Sequence, residues 1–250
     1  MTERDQTRGT GAAPLFGAYD FPFRYESDPL SLAIEEDGGF LRYSRRCCGT
    51  TVRKILGTRQ GRAVISPVEP INLPQEVTPY LEVRFTPVAC EPDSVQTLYL
   101  TFPVEIGVFL EARGSYDVLD IFTLTSPKYS LYGTPVEGII TRYHESDVFP
   151  GIPEIDLVRE GVLSLTIRNS SRGWVEVSRV VMDCSGFVLF CGDMVSLTAR
   201  MEVLSRDLAD VRIGDQPLCE GMFPATLLAR ARMRFIPETL PFMMEYGVGG

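Results

Sequence analysis

The sequence lacks the signatures that most often announce an enzyme. Its 250 residues contain no G-x-x-x-x-G-K-[ST], no G-x-G-x-x-G between a strand and a helix, and no G-x-S-x-G elbow. The common cradles for phosphate and the common mount for a nucleophilic serine are therefore missing. Histidine occurs once, so any imidazole-dependent proton transfer or metal site must use His144. Long apolar runs are absent as well. The best candidate, from Leu98 to Ala112, is interrupted by Pro103, Glu105 and Glu111, well short of the roughly 18 apolar residues a membrane-spanning helix needs. The polar stretch that follows Met1 has no apolar core of a secretory signal. No transmembrane segment is expected, and the expected location is the cytoplasm.

Positive charge is scarce and almost all of one kind. Twenty-four basic residues face 33 acidic ones, a net charge of -9, and all the basic residues except Lys54 and Lys128 are arginines. Such a balance repels a phosphate backbone, so no nucleic-acid partner is expected. The positive charge sits on planar forks suited to carboxylates. Cysteines fall at 47, 48, 90, 184, 191 and 219. Without a secretion signal, and with a chain long enough to build a core, they are expected as free thiols. Adjacent Cys47 and Cys48 point to opposite faces of a strand, and Cys184 and Cys191 lack the C-x2-C spacing of a zinc site. No metal and no cofactor is expected.

What is present is β composition. Val, Ile and Thr number 54 and the aromatics 25, against 12 Ala, while 40 Gly and Pro punctuate short apolar runs. Strands are expected near residues 40–45, 51–56, 62–66, 80–87, 96–101, 105–112, 116–125, 138–144, 162–168, 174–182, 187–190, 194–204 and 227–235. In the stretch 162–168, Leu163, Leu165 and Ile167 alternate with Ser164, Thr166 and Arg168, as a half-buried strand requires. Asn169 to Gly173 reads as a hairpin loop into a strand begun by Trp174, which reads as a core residue. One helix is expected, from Ile152 to Glu160, with Pro153 in its first turn and Gly161 as its cap. The spacing predicts an all-β fold of two antiparallel β-sandwich-like domains in tandem. An irregular segment covers residues 1–38, the first sandwich 39–130 and the second 131–250.

The stretch Leu131-Tyr-Gly-Thr-Pro-Val-Glu-Gly-Ile-Ile-Thr-Arg-Tyr-His144, together with Phe16-Gly-Ala-Tyr19, resembles an archaeal family of uncharacterised proteins, domain of unknown function 432. The resemblance implies an archaeal, cytoplasmic protein. It brings no reaction, cofactor or catalytic residue with it.

Two constellations carry chemistry. His144 leaves a strand among Arg142, Tyr143, Glu145, Ser146 and Asp147. A carboxylate beside an imidazole is the minimum for a general base with its orienter, or for a metal site. The plainer reading is a polar strand exit. As a strand, residues 227–235 place Arg230, Arg232 and Arg234 on one face, a stripe able to grip an acidic partner or to pair with acids of the same chain such as Glu202. The expected function is binding or assembly through protein–protein contacts, with a protein partner or a second copy of the chain and without catalysis. The alternative is a metal-dependent enzyme or small-ligand binder centred on His144 with Glu145 and Asp147.

Overall fold

Alternating apolar residues decide which way each strand faces, and turn residues decide where it ends. In the computed structural model, which describes residues 15–58, 61–72, 76–112, 115–206 and 208–225, those rules produce a chain laid down in four legs. The first leg holds β1 (Gly17–Asp20), β2 (Phe23–Ser27), β3 (Leu30–Asp37), β4 (Phe40–Cys47), β5 (Thr50–Leu56) and β6 (Arg62–Val68). The second holds β7 (Tyr80–Cys90) and β8 (Val95–Pro103), and the third β9 (Glu105–Ala112) and β10 (Ser115–Phe122). The fourth holds β11 (Lys128–Tyr132), β12 (Ile139–Glu145), β13 (Glu160–Asn169), β14 (Val175–Asp183), β15 (Phe190–Cys191), β16 (Val195–Ser205), β17 (Leu208–Ile213) and β18 (Phe223–Pro224). Among the described residues there is no α-helix and a single 3-10 turn, Cys184–Gly186. The all-β expectation holds.

Four sheets result. Legs one and three form sheet I (β1-β6-β9-β10) and sheet II (β2-β3-β4-β5). Legs two and four form sheet III (β11-β12-β7-β14) and sheet IV (β18-β15-β16-β13-β8, with β17 on β16). In sheet II, Leu32, Ile34, Leu41 and Tyr43 face inward and are buried, each contributing roughly 1.5–3 kcal/mol by leaving water. That face meets sheet I, where Tyr43 Oη and Arg45 Nε both donate to Asp120 Oδ2, at 2.8 and 2.7 Å. In the other pair, Leu81, Val83 and Phe85 of β7 pack with Leu98, Leu100, Leu163, Leu165, Leu197 and Met201 of sheet IV, and this core is continuous with that of sheets I and II.

The sheets group the strands differently from the expected division at residue 130. A boundary at residue 130 cuts sheets III and IV, because β7 pairs with β12 and β14, and β8 pairs with β13. The sandwiches are nested in the chain and not in tandem. One residue, Val104, separates β8 from β9, and its N–H donates to Arg159 O at 3.0 Å. At the same junction the buried Arg142 donates through Nη1 to Glu105 Oε1 and to Pro70 O.

Four local expectations need correction. Residues 17–37 are not irregular: β1, β2 and β3 occupy them, and the turn begins only at Gly38 and Gly39, whose φ angles of 58° and 85° suit a two-residue hairpin between Asp37 and Phe40. Glu35 and Glu36 belong to the strand. The segment 152–160 makes one turn, not a helix. Asp156 accepts Val158 N–H through Oδ1 and Arg159 and Glu160 N–H through its carbonyl, and Glu160 already starts β13. The Asn169–Gly173 loop is no hairpin, since β13 lies in sheet IV and β14 in sheet III. Finally, of the 187–190 run only Phe190 is strand, as the first residue of the two-residue β15. Two pairings are parallel, β12 with β7 and β13 with β16, where an antiparallel sandwich was expected throughout.

Candidate functional site

β12 carries the residues the sequence marks out. Period two sends Arg142 and His144 to the inner face, in register with Leu81 and Val83, and Tyr143 and Glu145 to the outer face, in register with Glu82 and Arg84. The shared face of Arg142 and His144 is as expected, but alternation separates His144 from Glu145. Asp147 follows as an exposed residue. The groups that meet His144 are different ones. Its Nε2 lies 2.9 Å from Thr101 Oγ1 on β8, and the nearest carboxylate is Glu160 Oε1 on β13, 4.0 Å away.

The surrounding cleft, about 350 Å³, is bordered by Lys128, Arg159, Ser126 and Glu160 as well as His144. Burial pushes the His144 pKa down to about 4, and the Arg142 and Lys128 charges push the same way. Burial and the charge of Asp156 raise that of Glu160. The imidazole is thus held neutral, its Nε2 engaged by a threonine of a neighbouring strand and the carboxylate beyond hydrogen-bond reach. Among the described residues no three His, Cys, Asp or Glu side chains group closely enough to hold a metal ion. All six cysteines are free thiols, and burial raises the pKa of Cys90, of Cys184 and, to about 12, of Cys191. Raised thiols are poor nucleophiles.

Glu82 heads a second polar cluster, on the outer face of sheet III. Its buried carboxylate accepts Ser130 and Thr141 hydroxyls and the guanidinium of Arg84, with that of Arg179 at 3.5 Å. Burial opposes the charge, yet the hydrogen bonds from Ser130, Arg84 and Thr141 outweigh it and hold the pKa below the usual carboxylate range. Tyr143 and Tyr132 lie under the two arginines. The cluster is internally satisfied.

The feature the sequence reading missed lies at the far end of the second sandwich. Trp174, expected in the core, is 69% exposed. Below it sits Asn169, fully buried. The Asn169 side chain donates to the carbonyls of Cys90, Glu91 and Gly173 at 2.9–3.1 Å, and its Oδ1 accepts Ser171 N–H and Oγ–H at 3.0 and 2.7 Å. Its own N–H and carbonyl reach Ser94 and Asp93. One side chain thus ties the 91–94 turn to the 170–174 loop. Leu204 and Leu208, at the adjoining ends of β16 and β17, are also exposed, as is Val95 at the start of β8. The signal available in the sequence was the loop chemistry of Asn169-Ser170-Ser171-Arg172-Gly173. An asparagine there builds an Asx turn and leaves the residue after the glycine outside the strand pattern.

Arg230, Arg232 and Arg234 lie outside the described residues. Glu202, the acid suggested for them, stands in register with Arg168 and Asp210 and accepts the Ser170 hydroxyl at 2.9 Å. No helix among the described residues is long and apolar enough to cross a membrane.

Against known proteins, neither the curated sequences nor the solved structures contain a match. A family model does match, from residue 15 to residue 245, under the description "Protein of unknown function (DUF432)". That span takes in all four legs of the fold, and the chain belongs to this family.

Proposed function

We propose that this protein is a non-catalytic binding or assembly protein of the cytoplasm, acting on a protein partner through the end of its second sandwich. The observation that carries the reading is Trp174: the one tryptophan of the chain, exposed, on a loop whose conformation a buried asparagine fixes. Leaving a large aromatic in water costs free energy, and a rigid loop presents it without an ordering penalty on association. Exposed, preordered Trp residues are the type that anchors protein interfaces. Leu204 and Leu208 extend the apolar surface. Behind them the edges of β14 and β17 flank a groove of about 850 Å³ lined in part by Val177, Val181, Met201, Val203 and Val211. An extended segment of the partner fits such an edge by strand addition. The net charge of -9 supports a partner other than nucleic acid.

The test uses the full chain as bait, wild type beside Trp174→Ala. A protein retained by the first is identified, purified and titrated against both. The expected result is an affinity loss of roughly tenfold or more for Trp174→Ala with little change in thermal stability. Light scattering over a concentration series covers the case in which the partner is a second copy: a wild-type dimer that the variant loses supports the reading. A partner or a dimer that binds both chains equally overturns the role of Trp174, and a wild-type chain with no partner and a monomer mass overturns the function.

A further inference from the structure

The outer face of sheet II carries a different arrangement, in the other sandwich and independent of Trp174. Register places Arg24, Ala33, Ser44 and Arg53 in one row across β2, β3, β4 and β5. The row has a cation at each end and the two smallest side chains between them. Strands lie about 4.8 Å apart, so the two arginines stand some three spacings, about 14 Å, from each other over an open floor. The next row reads Glu26, Ser31, Arg46, Thr51, and the one on the other side places Arg42 between Glu35 and Ile55. The result is a trough of about 420 Å³ lined by five arginines, of which Arg24, Arg42, Arg46 and Arg53 belong to this face and Arg45 turns inward to Asp120.

Charge balance within the trough is incomplete. Arg24 is held by Glu26 at 2.6 Å and Glu35 at 3.5 Å, and Arg42 pairs with Asp37. Arg46 and Arg53 make no ion pair among the described residues, although Arg53 is the diagonal neighbour of both Arg42 and Arg46 across Ser44. Like charges at such positions repel by a few tenths of a kcal/mol or more, and a chain with 33 acids has acids to spare for them. Their clustering over a floor of small residues makes sense when an anion fills the space. Arginine forks match the oxygens of a phosphate group, stay charged at any physiological pH and take two oxygens each. The volume lies in the range of small-molecule sites. Glu26 and Glu35, standing with Arg24 at the β2 side, together with the negative charge of the whole chain, disfavour a long phosphate backbone.

We propose that this trough binds a small phosphorylated ligand, with Arg46 and Arg53 as its principal contacts and Arg42 and Arg24 closing its sides. Inorganic pyrophosphate is the probe, titrated calorimetrically into the full chain at low and at physiological salt. The expected result is saturable one-to-one binding that weakens as salt rises. The double change Arg46→Gln with Arg53→Gln is expected to reduce affinity roughly tenfold or more without lowering the melting temperature, because neither residue is buried or paired. Arg200→Gln, on the outer face of sheet IV, is expected to leave binding unchanged. Absence of binding at millimolar pyrophosphate in low salt overturns the proposal, as does equal binding by the double variant. A short single-stranded oligonucleotide that binds more tightly than pyrophosphate through the same two arginines also overturns it, in favour of nucleic acid.

Discussion

His144 and Trp174 occupy comparable places, each at an end of a strand in the second sandwich, and they use their surroundings in opposite ways. At His144 the polar groups turn inward: the imidazole bonds Thr101, loses its charge to burial and binds β12 to β8. At Trp174 the buried polar group is one residue of the supporting loop, Asn169, and the indole is left in water. A chemically promising residue is bonded within the fold, while a residue of a type that normally fills cores lies at the surface. Residue type alone does not assign either role; the partners of the supporting shell do.

That contrast can be broken experimentally. The largest effect is expected beside His144, where Glu105→Gln leaves the buried Arg142 without its counter-charge. A loss of about 3–5 kcal/mol in denaturant unfolding is expected, with iodide quenching of Trp174 unchanged because the two sites are separate. At the other end, Asn169→Ala strands the carbonyls and hydroxyl it served and is expected to cost about 3 kcal/mol. It should also raise the mobility of Trp174, read as lower fluorescence anisotropy, and weaken partner binding. If stability falls and the anisotropy does not, Asn169 is a core group without a presenting role.

The pH dependence sharpens the comparison. Unfolded, the imidazole takes up its proton near 6.5; folded, only near 4. Between those values the unfolded chain binds more protons, so stability rises with pH. The His144 contribution is complete above 6.5 and is lost as pH falls towards 4, by on the order of 2 kcal/mol. His144→Gln is expected to remove that part of the slope, measured as the difference between the two chains from pH 7 to pH 4. The smallest effect belongs to Trp174→Ala, under about 1 kcal/mol by thermal unfolding, since an exposed side chain has little packing to lose. A loss of several kcal/mol would place Trp174 in a core after all.

Much of the fold was legible. The alternation of Leu163, Leu165 and Ile167 gave β13 its buried face, and the expected strand at 105–112 coincides with β9. Less legible was where a strand goes next. Nothing in Asn169 to Gly173 distinguishes a hairpin from an arch between sheets, because both begin with the same Asx chemistry and differ only in which distant edge receives β14. The parallel pairing of β12 with β7 is invisible for the same reason. In the candidate site, period two found the shared face of Arg142 and His144, but Thr101 and Glu160 come from other strands and only the sheet order brings them there.

The four-leg route has a consequence for how the chain acquires its fold. When β6 leaves the ribosome its partner β9 has not been made, and β7 and β8 are synthesised before any strand they pair with. Neither sandwich closes on a contiguous stretch of chain. Sheet I waits for the third leg and sheets III and IV for the fourth, so the decisive contacts join residues distant in sequence and slow folding is expected for the chain's size. A fragment cut after residue 130 keeps β7 and β8 with their edges bare, a template for association with other chains. Two separately expressed halves are therefore not expected to fold, and the segment from Val95 to Ala112, whose two strands belong to different sandwiches, is expected to couple their folding.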